Sequence, residues 1–149
     1  MRIVIQRVTR ASVSIEGRVE SAIEKGMMVL LGVGYADTDD DIDWLVKKTI
    51  NLRIFDDSEG VINLSVKDVK GSILVVSQFT LMASCKKGNR PSYIHAANPD
   101  VSIPLYERFC QRLSEELGKP VSTGVFGADM QVELVNDGPV TIVIDSKDK

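Results

Sequence analysis

Two uninterrupted apolar stretches limit what this chain can fold into. Met27 to Val33 and Ile73 to Val76 carry no charge and consist almost wholly of Val, Leu, Ile and Met. A strand with one wet face alternates apolar and polar residues, so runs like these read as strands buried on both faces. Such strands need one layer above and another below. The helices that could supply a layer are visible beside them. Thr38 reads as an N-cap followed by Asp39, Asp40 and Asp41, acids that suit the positive end of a helix dipole. Ile42, Leu45, Val46, Thr49 and Ile50 then fall at helical spacing, predicting an amphipathic helix over 39–52. A second stripe, Val101, Leu105, Phe109, Leu113 and Leu117, predicts another helix, with Pro104 in its first turn and Gly118 and Pro120 as its stop.

The remaining segments read as strands and turns. Ile3, Ile5 and Val8 lead on to Val13 and Ile15, and Glu16-Gly17-Arg18 offers a turn before a strand over 19–23. A short strand over 53–55 ends at the 56–60 turn cluster, and Gly71 precedes a strand over 72–77. Strands are expected at 121–125, 130–135 and 140–145, with Asp137-Gly138 as the hairpin turn between the last two. Residues 82–99 are polar and rich in Gly, Pro and Asn, so they form a long loop, and loops of that length tend to be functional. The 146–149 tail is expected to fray. Hairpins and crossovers together predict an α/β class with a mixed sheet in one domain over 1–149.

Composition narrows the function. The 18 basic and 21 acidic side chains leave a net charge of −3, which argues against broad wrapping of nucleic acid. Lys86, Lys87 and Arg90 form the one basic patch, either a solvated loop or a local phosphate contact. No apolar run is long enough to cross a bilayer, and no export signal is expected at the start. Cys85 and Cys110 lie in different contexts and read as reduced thiols of a cytoplasmic protein. They make no metal set, and His95 is the only histidine, so no metal or other cofactor is expected. Phosphate-binding glycine loops and a Gly-x-Ser-x-Gly elbow are missing.

Two segments stand out. Ser77-Gln78-Phe79-Thr80-Leu81 places hydrogen-bonding and aromatic side chains where a buried strand runs out. Either they cap the strand, or they line a ligand site of the kind found at strand carboxyl ends. Asn136-Asp137-Gly138-Pro139-Val140-Thr141 either closes an ordinary hairpin or holds a cis Gly-Pro bond whose carbonyls face a pocket.

Read together, these motifs resemble the D-aminoacyl-tRNA deacylase family, also called D-tyrosyl-tRNA deacylases. The resemblance runs along the whole chain and in order. It takes in Gln6-Arg7-Val8, Leu52 to Asp56, Ser77 to Leu81, Lys87 to Ser92, Phe126 to Met130 and Asn136 to Thr141. It implies a three-layer α/β/β fold with two main helices, and a homodimer with aminoacyl-tRNA as its partner and active sites at the interface. Ser77, Gln78, Phe79 and Thr80 would surround the ester. Gly138 and Pro139, joined by a cis bond and steadied by Arg7 within the Asn136–Thr141 segment, would arrive from the other protomer. Phe126, Ala128 and Met130 would hold the terminal adenosine; apart from the resemblance, the basic patch of Lys86, Lys87 and Arg90 is the candidate tRNA contact. The implied reaction is hydrolysis of a D-amino acid, or glycine, from tRNA. Met82 to Cys85 and Ile142 to Ile144 depart from the common pattern, which bears on tRNA preference rather than on the reaction. Two other readings stay open: a non-catalytic nucleic-acid-binding module, and a hydrolase of small esters.

Overall fold

The two apolar runs are neighbouring parallel strands at the centre of the molecule. In the computed structural model, which describes residues 1–149, they are β3 (Gly26–Gly32) and β6 (Ser72–Ser77), with Met27 opposite Ile73 and Leu31 opposite Ser77. Their side chains divide by parity. Met27, Val29, Leu31, Ile73 and Val75 join one apolar cluster with Ile42, Leu45, Phe109 and Leu113. Those partners come from two helices, α1 (Asp39–Asn51) and α2 (Pro99–Leu117). Met28, Leu74 and Val76 join a second cluster with Val8, Ala11, Val13 and Ile23. These last four come from β1 (Arg2–Ile15) and β2 (Arg18–Ile23). Helices therefore cover one face of β3 and β6, and curled β-structure covers the other. That arrangement is why neither strand has a polar side, and it makes the fold α/β/β.

The connections follow strand direction. The chain segments that carry α1 and α2 link parallel partners, β3 to β6 and β6 to β7 (Ser122–Thr123), as parallel pairing requires. β1 and β2 form a hairpin through Glu16 and Gly17, whose positive φ values of 50° and 78° match the twist of paired strands. A small separate pair, β4 (Phe55–Asp56) with β5 (Ile62–Leu64), follows α1. β5 was not expected, and the 121–125 strand shortens to two residues.

β1 pairs with β3 and β2 on one edge and with β8 (Gln131–Asp145) along the other. Here the expected hairpin at Asp137-Gly138 does not form. Val8 faces Asn136 and Gln6 faces Thr141, so both halves of β8 run along the same edge of β1. Residues 137–140 loop out as a bulge opposite the single residue Arg7. An Asp-Gly step signals a reversal only when the following strand folds back; here Thr141 rejoins β1 and the direction is kept. The Gly138–Pro139 peptide is cis, as the resemblance implies.

Two further expectations are corrected. Helix α2 starts at Pro99, behind an Asn98 cap, so Pro104 lies inside the helix and not in its first turn. Its ring removes one intrahelical donor on an exposed face, where water can satisfy the freed carbonyl. The 146–149 tail is tied down at its start. Ser146 is 3% exposed and donates its N–H to the Met1 carbonyl at 2.9 Å. Lys147 Nζ reaches Asp41 Oδ2 at 2.9 Å and the Ala36 carbonyl at 3.0 Å.

Candidate active site

The site grows from the end of β6. Gln78 donates its N–H to Leu31 O at 2.8 Å, extending the pairing with β3 by one residue before the chain tightens into a 3-10 turn, Phe79–Met82. Gly32 permits this close approach. A Cβ there would stand 3.0 Å from Leu81 Cβ and 3.1 Å from Gln78 O. Arg2 holds the turn from outside, donating from Nη1 to Leu81 O at 2.6 Å while Nε and Nη2 grip Asp145 Oδ2 at 3.0 and 2.8 Å. Within the turn, Gln78 Nε2 donates to Thr80 Oγ1 at 2.5 Å. Phe79 and Thr80 stand in the first turn of the 3-10 segment, where helical geometry supplies no intrahelical acceptor for their N–H groups.

Beside this turn opens a cavity of about 670 Å³. Its walls are the ends of β3 and β6, Ser77 to Phe79, Tyr93 and residues 96–98 of the long loop, Pro99, Ser102 and Tyr106 of α2, Phe126 to Met130, and Val132 of β8. Tyr106 donates its hydroxyl to Val75 O at 3.1 Å and meets Phe126 edge-on, with ring centroids 5.7 Å apart. Burial, with Cys110 beside it, pushes the Tyr106 phenol far above its ordinary range, so it serves as a neutral donor. Burial likewise pushes the Cys110 thiol up to about 12. Asp129 is the only carboxylate in the wall, and no imidazole, ammonium or thiol lines it. His95 and Lys86 line a separate depression, with Met1, Arg2, Asp37 and Asp145 among its other walls. No group of three or more His, Cys, Asp or Glu side chains is placed to hold a metal ion.

A family model described as D-Tyr-tRNA(Tyr) deacylase matches residues 4–145. The chain belongs to that family. It is 66% identical over 149 residues to a D-aminoacyl-tRNA deacylase of Bacteroides fragilis (strain YCH46), covering 100% of this chain and 99% of that one. It is 59% identical, with the same coverage, to a protein of that name from Flavobacterium psychrophilum. Among solved structures, one described as c-Myc DNA Unwinding Element Binding Protein superposes with a TM-score of 0.91. That pair is 43% identical, over 97% of this chain and 98% of the other. A structure described as a probable eukaryotic D-amino acid tRNA deacylase gives 0.82 at 20% identity, over 96% and 97%, and shows the shared fold.

In this deacylase-family chain the motifs gather in two places. Ser77, Gln78, Phe79, Phe126, Ala128 and Met130 share the cavity, whereas Thr80, the next residue of the turn, is exposed and not part of its wall. Gly138 and Pro139 are exposed and take no part in that cavity's wall. Arg7, 7% exposed, holds their bulge. Its Nε donates to the Asp137 carbonyl at 2.9 Å and its Nη1 to the Ile54 carbonyl at 2.8 Å, with Asp56 at 3.4 Å. The neck of the bulge is stapled too. Asn136 Oδ1 accepts from Val140 N–H at 3.1 Å, and Asn136 Nδ2 and Gln6 Nε2 donate to Thr141 Oγ1 at 3.1 and 3.2 Å. Lys86, Lys87 and Arg90 sit exposed on a loop closed by reciprocal bonds between Ser84 and Ser92 at 2.8 and 2.9 Å. Tyr93 and the Ser102–Tyr106 pair were missed from sequence. The pair lies one helix position off the α2 apolar stripe, where a small residue and a polar-tipped aromatic four apart could have signalled a second buried face.

Proposed function

We propose that this chain hydrolyses the ester joining a D-amino acid, or glycine, to the 3′-terminal ribose of tRNA, and that it works as a homodimer. Each active site would combine the cavity of one protomer with the 137–140 bulge of the other. Family membership supports the reaction. The observation that carries the assembly is the separation of the two halves. The bulge is braced by Arg7, Asn136 and Thr141 yet has nothing of its own chain to act upon. The outer edge of β8 is unpaired, and Val132, Val135 and Val143 on it are exposed. An unpaired apolar edge calls for cover, and a two-fold partner would supply it while carrying its bulge to the cavity.

The braced bulge suits the discrimination required. D- and L-aminoacyl groups carry the same substituents and differ only in arrangement. If the Gly138 and Pro139 carbonyls grip the α-amino group, an L side chain runs into main chain and a D side chain points away. Selection then works by exclusion, and glycine passes because it has nothing to exclude. Phe126 to Met130 would hold the adenosine, in a cavity within the ordinary size range for small ligands.

For the chemistry, no base is bonded to Thr80, and Asp129, the one carboxylate in the wall, makes no hydrogen bond to it. The Thr80 hydroxyl is bonded to the Gln78 amide, which cannot take a proton, and a threonine nucleophile needs a group that can. The free 2′-hydroxyl of the terminal ribose, or a water that it orients, fills the role. Water adds to the ester carbonyl, the bond to the ribose oxygen breaks, and the ribose hydroxyl regains a proton as the amino acid leaves. The Phe79 and Thr80 N–H groups stabilise the developing oxyanion. A tRNA substrate and two unpaired thiols fit a cytoplasmic setting.

A second reading, a nucleic-acid-binding module without catalysis, draws on the solved structure named for DNA binding. Matched D-Tyr-tRNA and L-Tyr-tRNA separate the possibilities. Rapid deacylation of the D-ester alone is expected. Loss of neither ester favours the binding module, and cleavage of esters regardless of tRNA favours a small-ester hydrolase.

A further inference from the structure

We infer that the unpaired nucleotides just before the terminal adenosine of the tRNA lie outside the cavity, stacked on the Phe79–Tyr93 pair, with their phosphates held by Lys86, Lys87 and Arg90. The inference rests on the deacylase reading above. Phe79 and Tyr93 meet edge-on at the cavity mouth, centroids 5.1 Å apart and planes at 70°. They remain 54% and 42% exposed. Open aromatic faces beside a nucleoside-sized cavity are what an emerging single strand can stack upon, and stacking accepts any base.

The charge of the loop that carries Tyr93 points to the same occupant. The chain has 21 acidic residues, yet residues 69–99 contain no Asp or Glu. Lys86, Lys87 and Arg90 take part in no ion pair of the molecule. In a protein of net charge −3, three unmatched cations on one loop complement a polyanion that touches only this place. Arg90 lies three residues from Tyr93, a chain span of at most about 11 Å, so cation and ring can serve successive units of one strand. The loop is also held before any ligand arrives. Ser84 and Ser92 bond each other, and Ala97 N–H donates to Val33 O at 2.9 Å, fixing its base to β3.

The test compares two substrates, full-length D-Tyr-tRNA and the D-tyrosyl ester of adenosine, which lacks the preceding nucleotides. Tyr93→Ala should raise KM for the tRNA about tenfold with kcat little changed, and Tyr93→Phe should keep the wild-type value. The triple variant Lys86→Ala, Lys87→Ala, Arg90→Ala should flatten the log–log salt dependence of kcat/KM on tRNA by about 2. It should cleave the nucleoside ester as the wild type does, which also shows that it folds. Unchanged KM and salt slope on tRNA, with both substrates cleaved by the wild type, overturn the inference alone. Failure of the wild type on both esters overturns the deacylase reading and the inference with it. Dissociation of Tyr93→Ala in sedimentation would make the pair a subunit contact and also overturn it.

Discussion

A guanidinium in a β-strand normally reaches water, but Arg7 turns inward and spends its donors on main chain at Ile54 and Asp137. Nothing local to Gln6-Arg7-Val8 announces this, because the partners lie 47 and 130 positions away. Only the resemblance singled the residue out. Gly138 is tied to the same group. Its φ is +133°, and an added Cβ would meet Val140 Cγ2 at 2.9 Å and Arg7 Nη2 at 3.1 Å. Gly138→Ala is therefore expected to destabilise the fold by about 1–3 kcal/mol in urea titrations. Shifting the carbonyls it carries should also lower the preference for D- over L-ester. Thr80 offers the opposite prediction. With only the Gln78 amide on its hydroxyl, Thr80→Ala should lower kcat modestly, by about tenfold or less, since the main-chain donors remain. A loss of several thousand-fold in a folded variant would make the hydroxyl a nucleophile after all.

Among elements, those whose signal is local were legible in the sequence. The Thr38 start of α1, the Gly118 stop of α2 and the doubly buried β3 and β6 follow from capping and periodicity. The 131–145 segment was not, because an Asp-Gly step is compatible with a hairpin and with a bulge alike. Which one forms depends on whether Thr141 finds β1 again. The tail was misjudged for a similar reason, since its partners Met1, Ala36 and Asp41 lie at the other end of the chain. Burial alone would raise the Asp41 carboxyl. Hydrogen bonds from Ser146, Lys147 and the Thr38 N–H outweigh it and hold the group well below the usual carboxylate range. The Lys147 ammonium is raised in turn, chiefly by its bond to Asp41. A depressed acid contributes stability above its unfolded value, near about 4, and loses it as pH falls further. A raised lysine contributes below about 10 and loses it above. Protection of the Ser146 N–H from exchange, taken relative to the intrinsic rate at each pH, should therefore be greatest between those limits and fall in acid before that of the central strands. Asp41→Asn should remove that pH dependence.

At the scale of the whole molecule, the site proposed above has two parts that a single chain does not bring together. The cavity beside Ser77 to Thr80 and the braced Gly138-Pro139 bulge are separate features of a single protomer. Family and fold were legible from motifs along the whole chain, and the resemblance also implied a homodimer; what spacing in sequence does not say is which edge of β8 stays open. Complementation tests this directly. A bulge variant, Gly138→Val, and a cavity-filling variant, Ala128→Trp, should each be folded and inactive on D-Tyr-tRNA when pure. Co-assembled in equal amounts, they should recover about one quarter of wild-type activity, since half the dimers then contain one intact site of two. If the mixture stays as inactive as its components while mixed dimers are present, cavity and bulge do not act across the interface, and the account of how handedness is read is wrong.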